Sequence, residues 1–268
     1  MNNSNFKNNI IKHNIVADKY MSGHKEIYNS VEQLRLFTNL KKYLNLINKE
    51  NKDIVALDYG AGDGNLTNHL LNLNCEVIAA DVSPKFIERL NRKYYNKKFK
   101  SLLITEENKI SVNSESIDFI GVYSVLHHID DYLKIFDEFY RVLKKDGILY
   151  IDHENSKSYW NLSGDQKKKY QKFRNHQKKS FKRFLKINNY IDWFIRKFVN
   201  KKYQREGDIH VWEDDHIDWQ LIEQKVLNRF EVITYEEYLL FIEGYDEEIY
   251  NQHKEMFNDV GYMLLKKI

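Results

Sequence analysis

The sequence predicts an α/β protein: a doubly wound, seven-stranded, mainly parallel sheet with a basic helical insertion between the fifth and sixth strands. Three observations carry this expectation. Short apolar runs alternate with stretches of helical periodicity, a pattern that implies parallel strands joined by crossover helices. The first run leads into a glycine cluster, Gly60-Ala61-Gly62-Asp63-Gly64. The rhythm then breaks over residues 156–212 and resumes.

With Pro84 the only proline, element ends are read from Gly, Asn, Asp and Ser. Residues 29–49 space Val31, Leu34, Leu36, Leu40, Tyr43, Leu44 and Ile47 as one helical face. Ile54–Leu57 reads as a buried strand and Leu66–Leu73 as the helix after it. Glu76–Ala80 is a second strand, and Ser83-Pro84 opens a helix with serine as N-cap and proline at the first helical position. Ser101–Ile104 is a weaker third strand and Ile117–Tyr123 a fourth. Asp131–Leu143 has helical spacing and is expected to stop at Gly147. Ile148–Ile151 is the fifth strand. Asp215–Leu227 resumes as a helix with Asp214 or Asp215 as its N-cap, and Phe230–Thr234 and Tyr262–Leu265 close the sheet. The expected organisation is an N-terminal helical cap (1–50), a sheet domain (51–155 and 206–268) and a lid-like insertion (156–205).

Composition narrows the function classes. No apolar run approaches the roughly 18 residues that span a bilayer, and the polar start Met1–Asn9 lacks the apolar stretch of a signal peptide. The lone Cys75 rules out an intrachain disulfide and reads as a core residue. A cytoplasmic location is the expectation. The net charge of +3 hides an asymmetry: residues 157–205 carry 16 Lys/Arg against two acids, leaving the remainder strongly acidic.

The chemistry is densest around Asp58-Tyr-Gly60-Ala61-Gly62-Asp-Gly64. Glycines between a strand and a helix let backbone approach a ligand closely. A glycine loop alone would equally suit a nicotinamide enzyme. The G-x-G-x-G spacing and the preceding Asp58 point elsewhere, because a carboxylate there would repel a pyrophosphate but help hold a cationic amino-acid moiety. Asp81 ends the second strand, where an acid can accept hydrogen bonds from both ribose hydroxyls of a nucleoside. Glu106 or Glu107, after the third strand, is placed to meet an adenine amino group; both are equally readable as loop charges.

Taken in order, Asp58-x-Gly60-x-Gly62-x-Gly64, Asp81, Ile117-Asp118-Phe119-Ile120, Leu126-His127-His128 and the Arg141–Gly147 turn resemble the class I S-adenosylmethionine-dependent methyltransferases. The resemblance covers roughly residues 50–155, and residues 229–268 fit that family's closing hairpin. It implies a Rossmann-like methyltransferase fold with S-adenosyl-L-methionine as cofactor. On this resemblance the cofactor-binding residues are Asp58, Gly60, Ala61, Gly62, Gly64, Asp81, Val82, Glu106, Glu107, Ser124 and His127. The family usually has Asp after the third strand, so the adenine contact is open between Glu106 and Glu107.

Ligands of open α/β sheets gather at the carboxyl ends of the strands. His153 follows the fifth strand there and is a natural base near neutral pH. The string Asp208–Trp219 is dense in acids, His and Trp; it supplies His210, the first candidate base ahead of His153, and His216, a third candidate that reads rather as a structural partner of the helix start, with Trp212, Asp214 and Asp215 as candidate acceptor-binding residues. Its spacing matches no metal signature, and no metal is expected. The insertion mixes charge with Phe181, Phe184, Leu185, Phe194, Ile195 and Phe198 at helical spacing. It reads first as a lid with solvated lysines. The sharper readings, in order, are an anionic small-molecule acceptor, an anionic membrane surface and RNA. No segment matches an RNA-binding module. The expected activity is methylation, at oxygen, of a small or medium anionic acceptor such as a phosphorylated or nucleotide-linked polysaccharide precursor. An RNA methyltransferase and a non-catalytic donor-fold binding protein are the alternatives.

Overall fold

The structure, a computed structural model, describes residues 24, 26–106, 108–174, 217–242 and 247–268. The elements are α1 (Ser30–Leu44), β1 (Val55–Tyr59), α2 (Asn65–Asn72), β2 (Glu76–Asp81), α3 (Pro84–Tyr94), β3 (Phe99–Leu103), β4 (Ile117–Tyr123), α4 (Ile135–Val142), β5 (Leu143–Asn155), α5 (Lys157–Trp160), α6 (Gly164–Arg174), α7 (Trp219–Val226), β6 (Phe230–Tyr238), α8 (Glu247–His253) and β7 (Val260–Lys267). They form one seven-stranded sheet in the order β3-β2-β1-β4-β5-β7-β6. Strands β1 to β5 pair in parallel, and β7 runs antiparallel to both β5 and β6.

Alternation along the strands builds two cores. Leu57, Tyr59, Ile120, Val122, Leu149, Ile151, Met263 and Leu265 face α4 and α7 on one side. Ala56, Phe119, Ile148, Tyr150, Tyr262 and Leu264 face α1 and α2 on the other. A period of two along each strand produces this sorting. Cys75 is buried in the second core, as expected of it. At the amino ends of the strands, Asp118 accepts from Lys49 (2.6 Å), Lys144 (3.0 Å) and the Val55 N–H (3.0 Å), so it serves as a structural tie.

Several local expectations are corrected. The helix at 131–143 starts only at Ile135 and ends when Leu143 turns extended, so Gly147 does not supply the break. Strand β5 instead runs from Leu143 through that glycine to Asn155. The cap of α7 is Asp218, which accepts from the Gln220 and Leu221 N–H groups, and neither Asp214 nor Asp215 takes that place. On α1, Val31 and Leu34 face solvent, while Glu32 is buried beside Leu36, Leu40, Tyr43 and Leu44. The inward face is therefore rotated from the one that apolar spacing suggests, and its polar members matter below. Ser83 and Pro84 open α3 as expected, Ser83 accepting from the Phe86 N–H. Among the described residues, no helix is long and apolar enough to cross a membrane.

Candidate active site

The carboxyl ends of β1, β2, β4 and β5 converge on one rim of the sheet. Beyond β1 the chain enters the glycine loop with Gly60, Gly62 and Gly64 all at positive φ (77°, 51° and 86°), a conformation that side chains disfavour. Gly60 is also fixed by contact, since a Cβ there would lie 2.4 Å from a methyl of Val125. The Gly60 and Ala61 N–H groups both donate to the Ala80 carbonyl. Asp81 closes the loop from the neighbouring strand: Oδ2 accepts from the Gly62 N–H and Oδ1 from the Ser83 N–H, each at 2.8 Å. Val82 follows, half-buried against the α4-side core.

Asp58 sits beneath the loop. It is buried, and Oδ2 accepts from the Thr67 N–H (2.8 Å) and hydroxyl (2.6 Å) at the start of α2. Burial pushes its carboxyl up to about 7 despite those bonds. These bonds tie β1 to α2 under the loop. Asn65 opens α2 with Oδ1 accepting from Gln33 Nε2 (2.8 Å), and Gln33 is itself held by a 2.8 Å bond to His69. This leaves Asn65 Nδ2 buried without a partner among the described residues, directly after the glycine loop. Glu106 is exposed and ion-paired with Lys109 at 3.1 Å, and Glu107 lies outside the described residues.

The other stretch of this rim is made by β4 and β5. Ser124, directly after β4, and His153, inside β5 where its pairing with β7 shifts register, both have positive φ (58° and 63°). For residues with side chains such backbone is strained, and strain of this kind gathers at functional sites. The Ser124 N–H donates to the Asp152 carbonyl. Glu154 is buried and accepts from the Val125 (2.9 Å) and Leu126 (2.7 Å) N–H groups and bonds His127 Nδ1 (2.7 Å). It thereby fixes both the turn that touches Gly60 and the His127 ring.

Beside this turn lies a buried polar cluster. Arg35 of α1 reaches Asp152 (2.8 Å) and forms two bonds to Glu32, with its guanidinium 4.0 Å over the Tyr238 ring. Tyr123 and Tyr238 donate to Glu32, and Tyr238 and Tyr150 to Asp152. Burial, followed by these carboxylates, holds all three phenols far above their usual range. Arg35 lies well above its ordinary value because Asp152 and Glu32 outweigh its desolvation. The His153 N–H donates to Asp152, and the ring stacks on Tyr123 at 4.9 Å. Burial lowers the His153 pKa, with Glu32 and Asp152 opposing. The imidazole is therefore neutral near pH 7.

The structure thus gathers Gly60, Ala61, Gly62, Gly64, Asp81, Val82, Ser124, His127 and His153 on one rim. His210, Trp212, Asp214, Asp215 and His216 lie outside the described residues. Trp219, the last residue of that same string, is a core residue whose Nε1 donates to the Asn155 carbonyl. Sequence reasoning missed Glu32, Arg35 and Asn65. Glu32 and Arg35 lie three residues apart on α1, but only the fold shows that this polar pair faces inward.

A seven-stranded sheet with β7 antiparallel, a glycine loop after β1 and an acid ending β2 defines the class I methyltransferase fold. Residues 57–151 match a protein-family model described as a methyltransferase domain, so that stretch of the chain carries a methyltransferase domain on this fold. Among solved structures, it resembles a putative S-adenosylmethionine-dependent methyltransferase from Listeria monocytogenes, with 15% identity, TM-score 0.57, and 90% of this chain and 100% of that one covered. It also resembles the N-methyltransferase NodS from Bradyrhizobium japonicum WM9 in complex with S-adenosyl-L-homocysteine, with 13% identity, TM-score 0.53, and 96% and 98% covered. A third is a SAM-dependent methyltransferase from Aquifex aeolicus, with 16% identity, TM-score 0.52, and 92% and 98% covered. At these identities the likeness is one of fold. No curated protein matches the chain.

The residues present fit the donor. The loop glycines leave no Cβ to block close approach, Asp81 presents a carboxylate at the end of β2 beside the loop, and the buried Asn65 amide has a donor without a partner among the described residues.

Proposed function

We propose that this methyltransferase modifies an oxygen of a small or medium-sized hydroxylated acceptor, with His153 taking the proton. The observation that carries this reading is His153 Nε2, which is buried without a partner among the described residues on a neutral ring at the end of β5. A neutral imidazole can accept a proton, and an acceptor hydroxyl has one that must leave. S-adenosylmethionine supplies an electrophilic methyl group when bound. Gly60 to Gly64 and Asp81 would hold its amino-acid and ribose parts, and Asn65 would add a hydrogen bond. Glu154 keeps the Val125–Leu126 turn in place, and Tyr123 keeps the His153 ring in one orientation.

The anionic character of the acceptor is supported by the charge of residues 157–205. Lys167, Lys168 and Lys169 are exposed on α6, which is anchored by buried Phe173 and by Arg174 and Tyr170 on Asp259. A phosphorylated or nucleotide-linked sugar, as in surface-polysaccharide precursors, satisfies both requirements, and residues 156–205 would then act as a lid over it. His210 and His216 remain rival bases, and Trp212, Asp214 and Asp215 candidate acceptor contacts. Single-turnover assays with pre-bound donor on His153→Gln, His210→Ala and His216→Ala decide between the bases. The expected result is a loss of roughly 100-fold or more for His153→Gln with donor affinity retained. Near-normal turnover in that variant overturns its role.

A further inference from the structure

Helix α1 does more than cover the sheet. Every carboxylate oxygen of the buried cluster it completes is already occupied. Glu32 accepts from Arg35, Tyr123 and Tyr238, and Asp152 from Arg35, Tyr150, Tyr238 and its neighbouring His153 N–H. The unused capacity lies elsewhere. Arg35 Nη1 is buried with no hydrogen-bond partner among the described residues, and so is His153 Nε2. A buried charged donor such as Arg35 Nη1 left without its bond is among the costlier defects a fold can carry, and a second polar atom without a partner in the same cluster makes it a sign of an intended third party.

The two orphan atoms belong to one bonded ring of side chains. Arg35 and the His153 N–H share Asp152, and Tyr123, whose ring carries His153, donates to Glu32, the other partner of Arg35. One of the two, Arg35, can only donate, whereas the imidazole nitrogen of a neutral histidine can accept. The cluster pairs two carboxylates with one guanidinium, so it already holds a net negative charge and gives an anion no welcome at this point. A neutral group with an oxygen lone pair beside an O–H is the simplest complement.

We propose that Arg35 is a specificity-determining residue that donates from Nη1 to an oxygen of a polyol moiety of the methyl acceptor, beside the hydroxyl that His153 deprotonates. The inference rests on the reading of His153 as base, but it concerns binding where that reading concerns proton removal. The acceptor is thus a sugar-like polyol at the cluster, and any phosphate it carries lies away from Arg35, toward the basic segment.

The test uses the full chain saturated with S-adenosylmethionine and four probes: methyl α-glucopyranoside, myo-inositol, glucose 1-phosphate and spermidine. Saturation-transfer NMR reads binding, and S-adenosylhomocysteine formation reads turnover. The wild type should bind the three polyols in preference to spermidine. Arg35→Lys keeps the charge opposite Glu32 and Asp152 but lacks the Nη1 donor. It should weaken polyol binding about tenfold, the equivalent of one charge-assisted hydrogen bond, with S-adenosylhomocysteine affinity unchanged. Spermidine preference in the wild type, absence of polyol binding, or unchanged polyol affinity in Arg35→Lys overturns the proposal. The wild-type comparison stands even if the variant folds poorly. His153→Gln separates the two claims: normal turnover there together with weakened binding in Arg35→Lys removes the base and keeps the docking residue.

Discussion

Replacing Gly60 by alanine tests the geometry of the donor loop and its coupling to the acceptor rim. The residue sits at φ 77°, and a Cβ would stand 2.4 and 2.8 Å from the two methyl carbons of Val125. The left-handed backbone costs a residue with a Cβ about 1–2 kcal/mol. Overpacking against Val125 adds about 1–3 kcal/mol. Gly60→Ala should therefore destabilise the protein by about 2–5 kcal/mol. Val125→Ala removes both methyl carbons and leaves only a 3.2 Å contact to Cβ, so in the double variant the overpacking cost vanishes and the backbone cost remains. Denaturant unfolding of the four proteins yields the coupling, expected at about 1–3 kcal/mol in the favourable direction. S-adenosylhomocysteine affinity, measured on the same samples, should recover in parallel. Additive effects within about 0.5 kcal/mol would show that the loop does not rest on the β4 turn and would refute the reasoning.

Asp81→Ala should lower donor affinity at least about tenfold, since each lost charge-assisted bond is worth roughly 1.5–3 kcal/mol. Because Asp81 also holds the Gly62 and Ser83 N–H groups, the variant should melt lower too; unchanged calorimetric affinity would mean the ribose lies elsewhere. Asn65→Ala should weaken S-adenosylhomocysteine several-fold but leave methylthioadenosine, which lacks the amino-acid part, unaffected; equal losses for both would place Asn65 away from that moiety. Asp58 has its carboxyl raised from 3.8 to about 7, so its protonated form is favoured in the fold. Its stabilising contribution is full below about pH 3.8 and is lost as pH rises through 7. Unfolding curves from pH 4 to 8 should accordingly show a flatter profile for Asp58→Asn than for the wild type, and identical slopes would contradict the burial argument. Neutralising Lys167, Lys168 and Lys169 together should raise the KM of an anionic acceptor and leave donor affinity alone; a change in donor affinity only would make α6 a donor-side cover.

The central strands were legible because they are buried on both faces and read as uninterrupted apolar runs, as in Ile117–Tyr123, where expectation and structure coincide. The donor half of the site was legible for a different reason. Backbone at positive φ demands glycine, and a strand-ending acid is a local feature, so Gly60, Gly62, Gly64 and Asp81 leave marks at fixed spacing. Helix ends were less visible: Asp218, not its acidic neighbours, caps α7 because the chain there is positioned by Tyr132, whose hydroxyl accepts the Asp218 N–H. The buried polar cluster beside β4 and β5 was least legible. Glu32 and Arg35 read as ordinary helix-surface charges, and only long-range contacts to Tyr123, Asp152 and Tyr238, more than 80 residues away, turn them inward. Asn65 carries no signal in the sequence, because its orphan amide exists only once Gln33 has taken its oxygen.

Calorimetric titration of the purified protein with S-adenosylhomocysteine, and in parallel with a reduced nicotinamide dinucleotide, tests the central claim most directly. A G-x-G-x-G loop with Asp81 behind it and no room for a Cβ at Gly60 predicts saturable binding of S-adenosylhomocysteine in roughly the micromolar range usual for enzyme ligands, and none of the dinucleotide. Binding of the dinucleotide with no response to S-adenosylhomocysteine would contradict it.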